Sequence, residues 1–155
     1  MSEAIIEQAA QSRPNLYDET LARDVITVFQ ERKGKISFIV AGDSYIYFGD
    51  LDPLFEAMRI GLEDGGYAAF TLENVDEENE ELLLKTKPEW RWQLTASGRF
   101  AHRREYVLEV AESHGLTLVH YEPLDNFRYE RGVGVRGHIF VMRKSSSSTT
   151  NKDEL

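Results

Sequence analysis

Residues 35–75, KISFIVAGDSYIYFGDLDPLFEAMRIGLEDGGYAAFTLENV, constrain the fold more than any other stretch. An apolar run over 36–41 ends in Gly42-Asp43, apolar residues at helical spacing follow, and a second apolar run closes on Glu73. The pattern predicts strand, helix, strand, with one acidic residue at the carboxyl end of each strand. The first run is apolar on both faces apart from Ser37, as a parallel strand covered by helices requires. In open α/β sheets the carboxyl ends of the strands are where ligands sit. No glycine-rich phosphate or cofactor loop occurs upstream in the sequence.

The flanking segments extend this pattern. Residues 2–12 predict a helix with Ser2 as cap and Ile5, Ile6, Ala9 and Ala10 near a 3.6 spacing, stopped by Arg13-Pro14-Asn15. Residues 17–24 suggest a short strand, and 25–30 a short helix ended at 33–35. Asp50, or Asp52 followed by Pro53, opens the central helix. Leu54, Phe55, Met58 and Leu62 form its buried stripe, and Gly65-Gly66 ends it. A strand is expected over 67–72, and the acidic stretch 76–84 is either a loop or a surface helix. Trp90, Trp92 and Leu94 alternate as in a short β segment. Residues 103–114 predict a helix with Tyr106, Val107, Val110 and Ala111 inward and Gly115 as C-cap. Strands over 116–121 and 135–142, joined by a polar connection over 128–134, suggest a closing antiparallel hairpin.

The length suits one domain with a real core, here residues 1–144. Residues 145–155 form a Ser/Thr-rich tail of low complexity, expected to be disordered. No stretch approaches a membrane span. Eighteen basic against 27 acidic residues give −9, which disfavours a nucleic-acid partner. Without cysteine there is no disulfide, thiolate metal site or cysteine nucleophile, and the four histidines lack metal-ligand spacing, so no metal is expected.

The segments LYDETLARDV (16–25), SFIVAGDSYIYFGDLDPLFEAM (37–58), GGYAAFTLE (65–73), SGRFAHRREYV (97–107) and VRGHIFVMRK (135–144) resemble the C-terminal portion of class I S-adenosylmethionine-dependent methyltransferases. The similarity is greatest to the predicted methyltransferases that often carry tetratricopeptide repeats. It implies a partial Rossmann-like α/β sheet, parallel strands followed by a C-terminal antiparallel hairpin, with S-adenosylmethionine as cofactor. It also implies that the family's first strand, its glycine-rich loop and the acidic residue that holds the ribose would precede Met1. The chain is then either an N-terminally truncated methyltransferase, weak or inactive as given, or a non-catalytic interaction module. In both cases the 36–41 strand becomes an apolar edge through which self-association is possible.

The resemblance places Asp24, or the adjacent backbone of Val25, at the cofactor's adenine; Asp24 as a plain helix cap is the alternative. Gly42 and Asp43 match the motif beside the cofactor's methionine end, where Gly42 permits close approach and a carboxylate suits a sulfonium. Asp43 is otherwise a turn cap. Tyr47, with Tyr45 and Phe48, either walls the substrate pocket or packs the loop. Glu73 either orients or deprotonates the acceptor or is a solvated carboxylate. In SGRFAH, His102 is a candidate base and Arg99 a candidate anion holder; Arg99 in a surface ion pair is the alternative. Arg128 and Arg131 either reach the same substrate rim or are surface charge. The acceptor, a small molecule or a protein, is not legible.

The terminal Lys152-Asp153-Glu154-Leu155 matches the endoplasmic reticulum retrieval address. No entry signal is present in the sequence, so the expectation is cytoplasmic, or the lumen of that compartment if a preceding segment supplies a signal.

Overall fold

The computed structural model describes residues 3–146. Within them five helices and six strands follow one another: α1 (Glu3–Ser12), α2 (Val25–Glu31), β1 (Ile36–Ala41), α3 (Asp52–Gly61), β2 (Leu62–Glu73), α4 (Glu77–Thr86), β3 (Trp92–Leu94), β4 (Phe100–His102), α5 (Arg104–Ser113), β5 (Leu116–Glu130) and β6 (Val133–Lys144). A 3-10 turn lies at Tyr45–Tyr47. The architecture is a mixed α/β one built on a single sheet of parallel and antiparallel strands.

β2 is the hub. It runs parallel to β1 over Phe38↔Tyr67 to Ala41↔Phe70 and antiparallel to β6, which pairs antiparallel with β5. At its last residue Glu73 pairs with Gly137 of β6 and with Ala101 of β4. β4 therefore continues the β1 side of β2 beyond the end of β1, and β3 pairs outside it. The outer edge of β1 has no partner strand among the described residues.

One sheet face carries the core. α3 buries Leu54, Phe55, Ala57 and Met58, and α5 buries Tyr106, Val107, Val110 and Ala111. Both stripes follow the helical period, so burial selects the face that the sequence marks. Phe70 sits between Phe55 and Phe140, each ring pair 5.5 Å apart between centroids. Helix α3 begins where Asp50 Oδ1 accepts from the Asp52 backbone N–H. Gly115, at φ 66, follows α5 in the left-handed conformation expected of a C-cap.

Several expectations are corrected. Residues 17–24 form no strand; this charged segment finds no sheet edge, and Leu16 and Tyr17 are exposed. Gly65-Gly66 does not end α3. The helix stops at Gly61, and the glycines lie inside β2 where the pairing with β1 shifts register, Gly65 taking φ 79. The 128–134 segment is not a loop, since β5 and β6 extend through it to a two-residue turn at Arg131-Gly132, φ 49 and 82. β1 is covered on one face only: Ile39 and Ala41 are buried, whereas Phe38 and Val40 are 56% and 71% exposed. Helix α1 forms as expected but buries none of its residues. Ser2 and residues 147–155, with the terminal retrieval address, lie outside the described residues. No helix among the described residues is long and apolar enough to cross a membrane.

Candidate active site at the strand tips

Because β1 and β2 are parallel neighbours, their carboxyl ends deliver Asp43 and Glu73 to the same end of the sheet. Asp43 has φ 48, an uncommon conformation for a residue with a side chain. Its backbone N–H donates to Thr71 Oγ1 at 2.8 Å, which fixes the turn to β2. A Cβ added at Gly42 would meet nothing within 4 Å, so the backbone beside Asp43 is open to approach.

Arg128 joins the two tips. It lies on the long arm of β5, mostly buried, and donates to Asp43 Oδ1 at 2.9 Å, to Glu73 Oε2, and to Glu130 Oε1 at 2.8 Å. Glu130 also accepts from Arg99, which follows the turn between β3 and β4. Burial works against the Arg128 charge, but Glu73 and Glu130 together hold its pKa above the ordinary arginine value. Two cations thus face three carboxylates contributed by β1, β2 and the hairpin arm.

Beside this network a cleft of about 590 Å³ opens at the end of β2. Glu73 and Asn74 line its floor, Thr95 and Ser97 one wall, and Arg131 and Arg136 the hairpin side. Asn74 is buried, its Oδ1 accepting from the Val75 N–H. Thr95 and Ser97 share a hydroxyl hydrogen bond of 2.7 Å.

The other candidates lie apart. Asp24 caps α2, its Oδ1 accepting from the Thr27 N–H at 2.9 Å, and this bond holds its carboxyl below the usual range. Among the described residues its side chain makes no hydrogen bond or ion pair with Arg128 or with the carboxylates Arg128 holds. Val25, the first residue of α2, is half-buried. Tyr47 is exposed on the 3-10 turn, whereas Tyr45 packs on Phe70 inside the core.

His102 corrects the expectation of an accessible base. Its side chain is fully buried, because β4 turns it toward α5 rather than the cleft. Nε2 donates to the Gly49 carbonyl at 3.1 Å, the ring stacks over Tyr106, and Nδ1 has no hydrogen-bond partner. Burial lowers its pKa to about 4. His138 on β6 is similarly buried, shares a 2.9 Å hydrogen bond between Nδ1 and Tyr121 Oη, and is also lowered to about 4 by burial.

Sequence reading missed the part played by Arg128 and Glu130. Their i, i+2 spacing in Phe-Arg-Tyr-Glu puts both on one strand face. That signal becomes visible only once the segment is read as a strand.

No family model and no curated protein matches the sequence. Solved structures do match the fold. A SAM-dependent methyltransferase from Methanosarcina mazei superposes with a TM-score of 0.66 at 13% identity, over 93% of this chain and 77% of that one. One from Mesorhizobium loti gives 0.62 at 15%, over 92% and 77%. The [4+2]-cyclase SpnF gives 0.68 at 13%, over 93% of this chain and 62% of its own. At such identities the likeness is one of fold, and the cyclase illustrates that this fold hosts more than one chemistry.

Proposed function

We propose that the chain belongs to an S-adenosylmethionine-dependent methyltransferase and supplies its acceptor side, with a weak cofactor hold of its own. The observation carrying this is the meeting of Asp43 and Glu73 at the tips of adjacent parallel strands beside a cleft. Gly42 and Asp43 fit the methionine end of the cofactor: the glycine leaves room, and Asp43 offers a partly exposed carboxylate. Val25 and Asp24 would meet the adenine through their backbone, since the Asp24 carboxylate is engaged as a cap. Bound there, the cofactor supplies an electrophilic methyl group. The chain's own residues align an acceptor with it: Glu73 and Arg99 orient the nucleophile. Alignment of reactants is the main source of rate in such a transfer. His102 has no part in it, because its ring does not reach the cleft.

The hold is weak because the sequence carries no glycine-rich turn for the methionine part and no acidic residue placed for the ribose. Titration calorimetry of the chain with S-adenosylmethionine tests the reading. Weak binding, reduced further by Asp43→Asn, is expected. Tight binding overturns the weak hold, and no binding at millimolar cofactor overturns the methyltransferase reading.

A further inference from the structure

The charges lining the cleft are unequal in one respect. Glu73 is held by Arg128, and Glu130 by Arg128 and Arg99. Arg136 donates to Glu80 at 3.2 Å. Asp76 caps α4, accepting from the Asn79 N–H at 2.9 Å. Arg131 alone among the described ionisable residues lining the cleft has no ion pair or hydrogen bond.

We propose that the cleft binds a small acceptor through an anionic group, a carboxylate or a phosphate, held by Arg131. The guanidinium is a planar fork suited to two parallel bonds with such a group. Its backbone is set by the tight turn, with Arg131 and Gly132 at φ 49 and 82, so the side chain starts from a fixed place at the mouth. The cleft volume of about 590 Å³ is that of a small-molecule site. Each carboxylate on the wall already has a hydrogen-bond partner, whereas Arg131 has none among the described residues. The hydroxyls of Thr95 and Ser97, tied to each other, present a neutral polar wall opposite. With an overall charge of −9 the molecule repels anions at a distance. An anion therefore binds only where a cation is locally uncompensated. Calling the ligand an acceptor rests on the methyltransferase reading; the anion contact does not.

Binding of three probes to the full chain, followed by calorimetry without cofactor, tests this: benzyl phosphate, phenylacetate and the neutral benzyl alcohol. At least one anion is expected to bind, with the alcohol weaker by about tenfold or more, as expected for charge-assisted hydrogen bonds. Which anion binds names the acceptor's group. Arg131→Asn keeps the left-handed turn, since asparagine tolerates that conformation. It should weaken the bound anion about tenfold without changing the unfolding temperature, Arg131→Lys should lose less, and Arg59→Gln on α3 should lose nothing. The proposal is overturned if the alcohol binds as well as the anions, if Arg131→Asn leaves anion affinity intact, or if no anion binds. Anion binding through Arg131 in a chain that binds no cofactor leaves this site standing and removes the methyltransferase reading.

Discussion

Replacing Arg128 by methionine keeps the aliphatic stem and removes the cation that joins the strand tips. The cost depends on how buried each partner is. The Glu73 side chain is 5% exposed, so losing its cation leaves a carboxylate buried and unpaired, a situation that costs about 3–5 kcal/mol. The Asp43 side chain is 49% exposed, and its pair contributes less than about 1 kcal/mol. Glu130, at 31%, keeps Arg99 as a partner. Arg128→Met should therefore destabilise the chain by about 3–4 kcal/mol, a large share of the roughly 5–15 kcal/mol of a typical domain. Glu73→Gln in the same background should recover about 2 kcal/mol or more, because it removes the stranded charge. Urea unfolding of the parent, the two single variants and the double variant at neutral pH and low salt gives the coupling energy. If Arg128→Met costs as much in the Glu73→Gln background as in the parent chain, the burial argument fails. It also fails if Asp43 couples to Arg128 as strongly as Glu73 does.

Three further outcomes follow from the packing. His102 and His138 have folded pKa values of about 4, below the ordinary 6.5, so the unfolded chain binds more protons between those limits. Stability should be full above about pH 6.5 and fall toward pH 4, by up to about 3 kcal/mol per histidine; denaturant midpoints that stay level over this window would contradict it. Gly137→Ala would place a Cβ 2.7 Å from Phe127 Cβ and 2.9 Å from the Leu72 carbonyl, so a loss of about 1–3 kcal/mol is expected by thermal unfolding, and an unchanged midpoint would argue against the arm's packing. The bare Phe38 and Val40 beside the free edge of β1 should drive concentration-dependent association in light scattering, which Val40→Lys should suppress at little cost to folding; a monomer at every concentration would refute this.

Much of the fold is written in local pattern. The stripes on α3 and α5, the β1 and β2 cores and the closing hairpin follow from periodicity, since burial on one face dictates both spacing and residue type. Limits appear where tertiary pairing overrides local chemistry. Gly65-Gly66 carry a helix-ending signal, yet they serve a register shift that depends on β1 lying alongside. The arm over 122–136 is polar because it extends beyond the helix-covered core, and polarity resembles a loop until its partner strand is known. At the site, Asp43 and Glu73 are legible because parallel strands bring their ends together. The side of β4 to which His102 turns depends on a single residue pair, Glu73↔Ala101, that no pattern in SGRFAH encodes. Arg128 is 85 residues from Asp43, and only the folded sheet connects them.

Whether the tips of β1 and β2 receive the cofactor is most directly measured by mapping amide resonances of the labelled chain as S-adenosylhomocysteine is added. Shifts centred on Gly42, Asp43 and Ser44, with a second group at Asp24 and Val25, are predicted, while the far end of β5 near Thr117 stays unchanged. Shifts that spare residues 42–44, or none at millimolar ligand, would contradict a cofactor site at this end of the sheet.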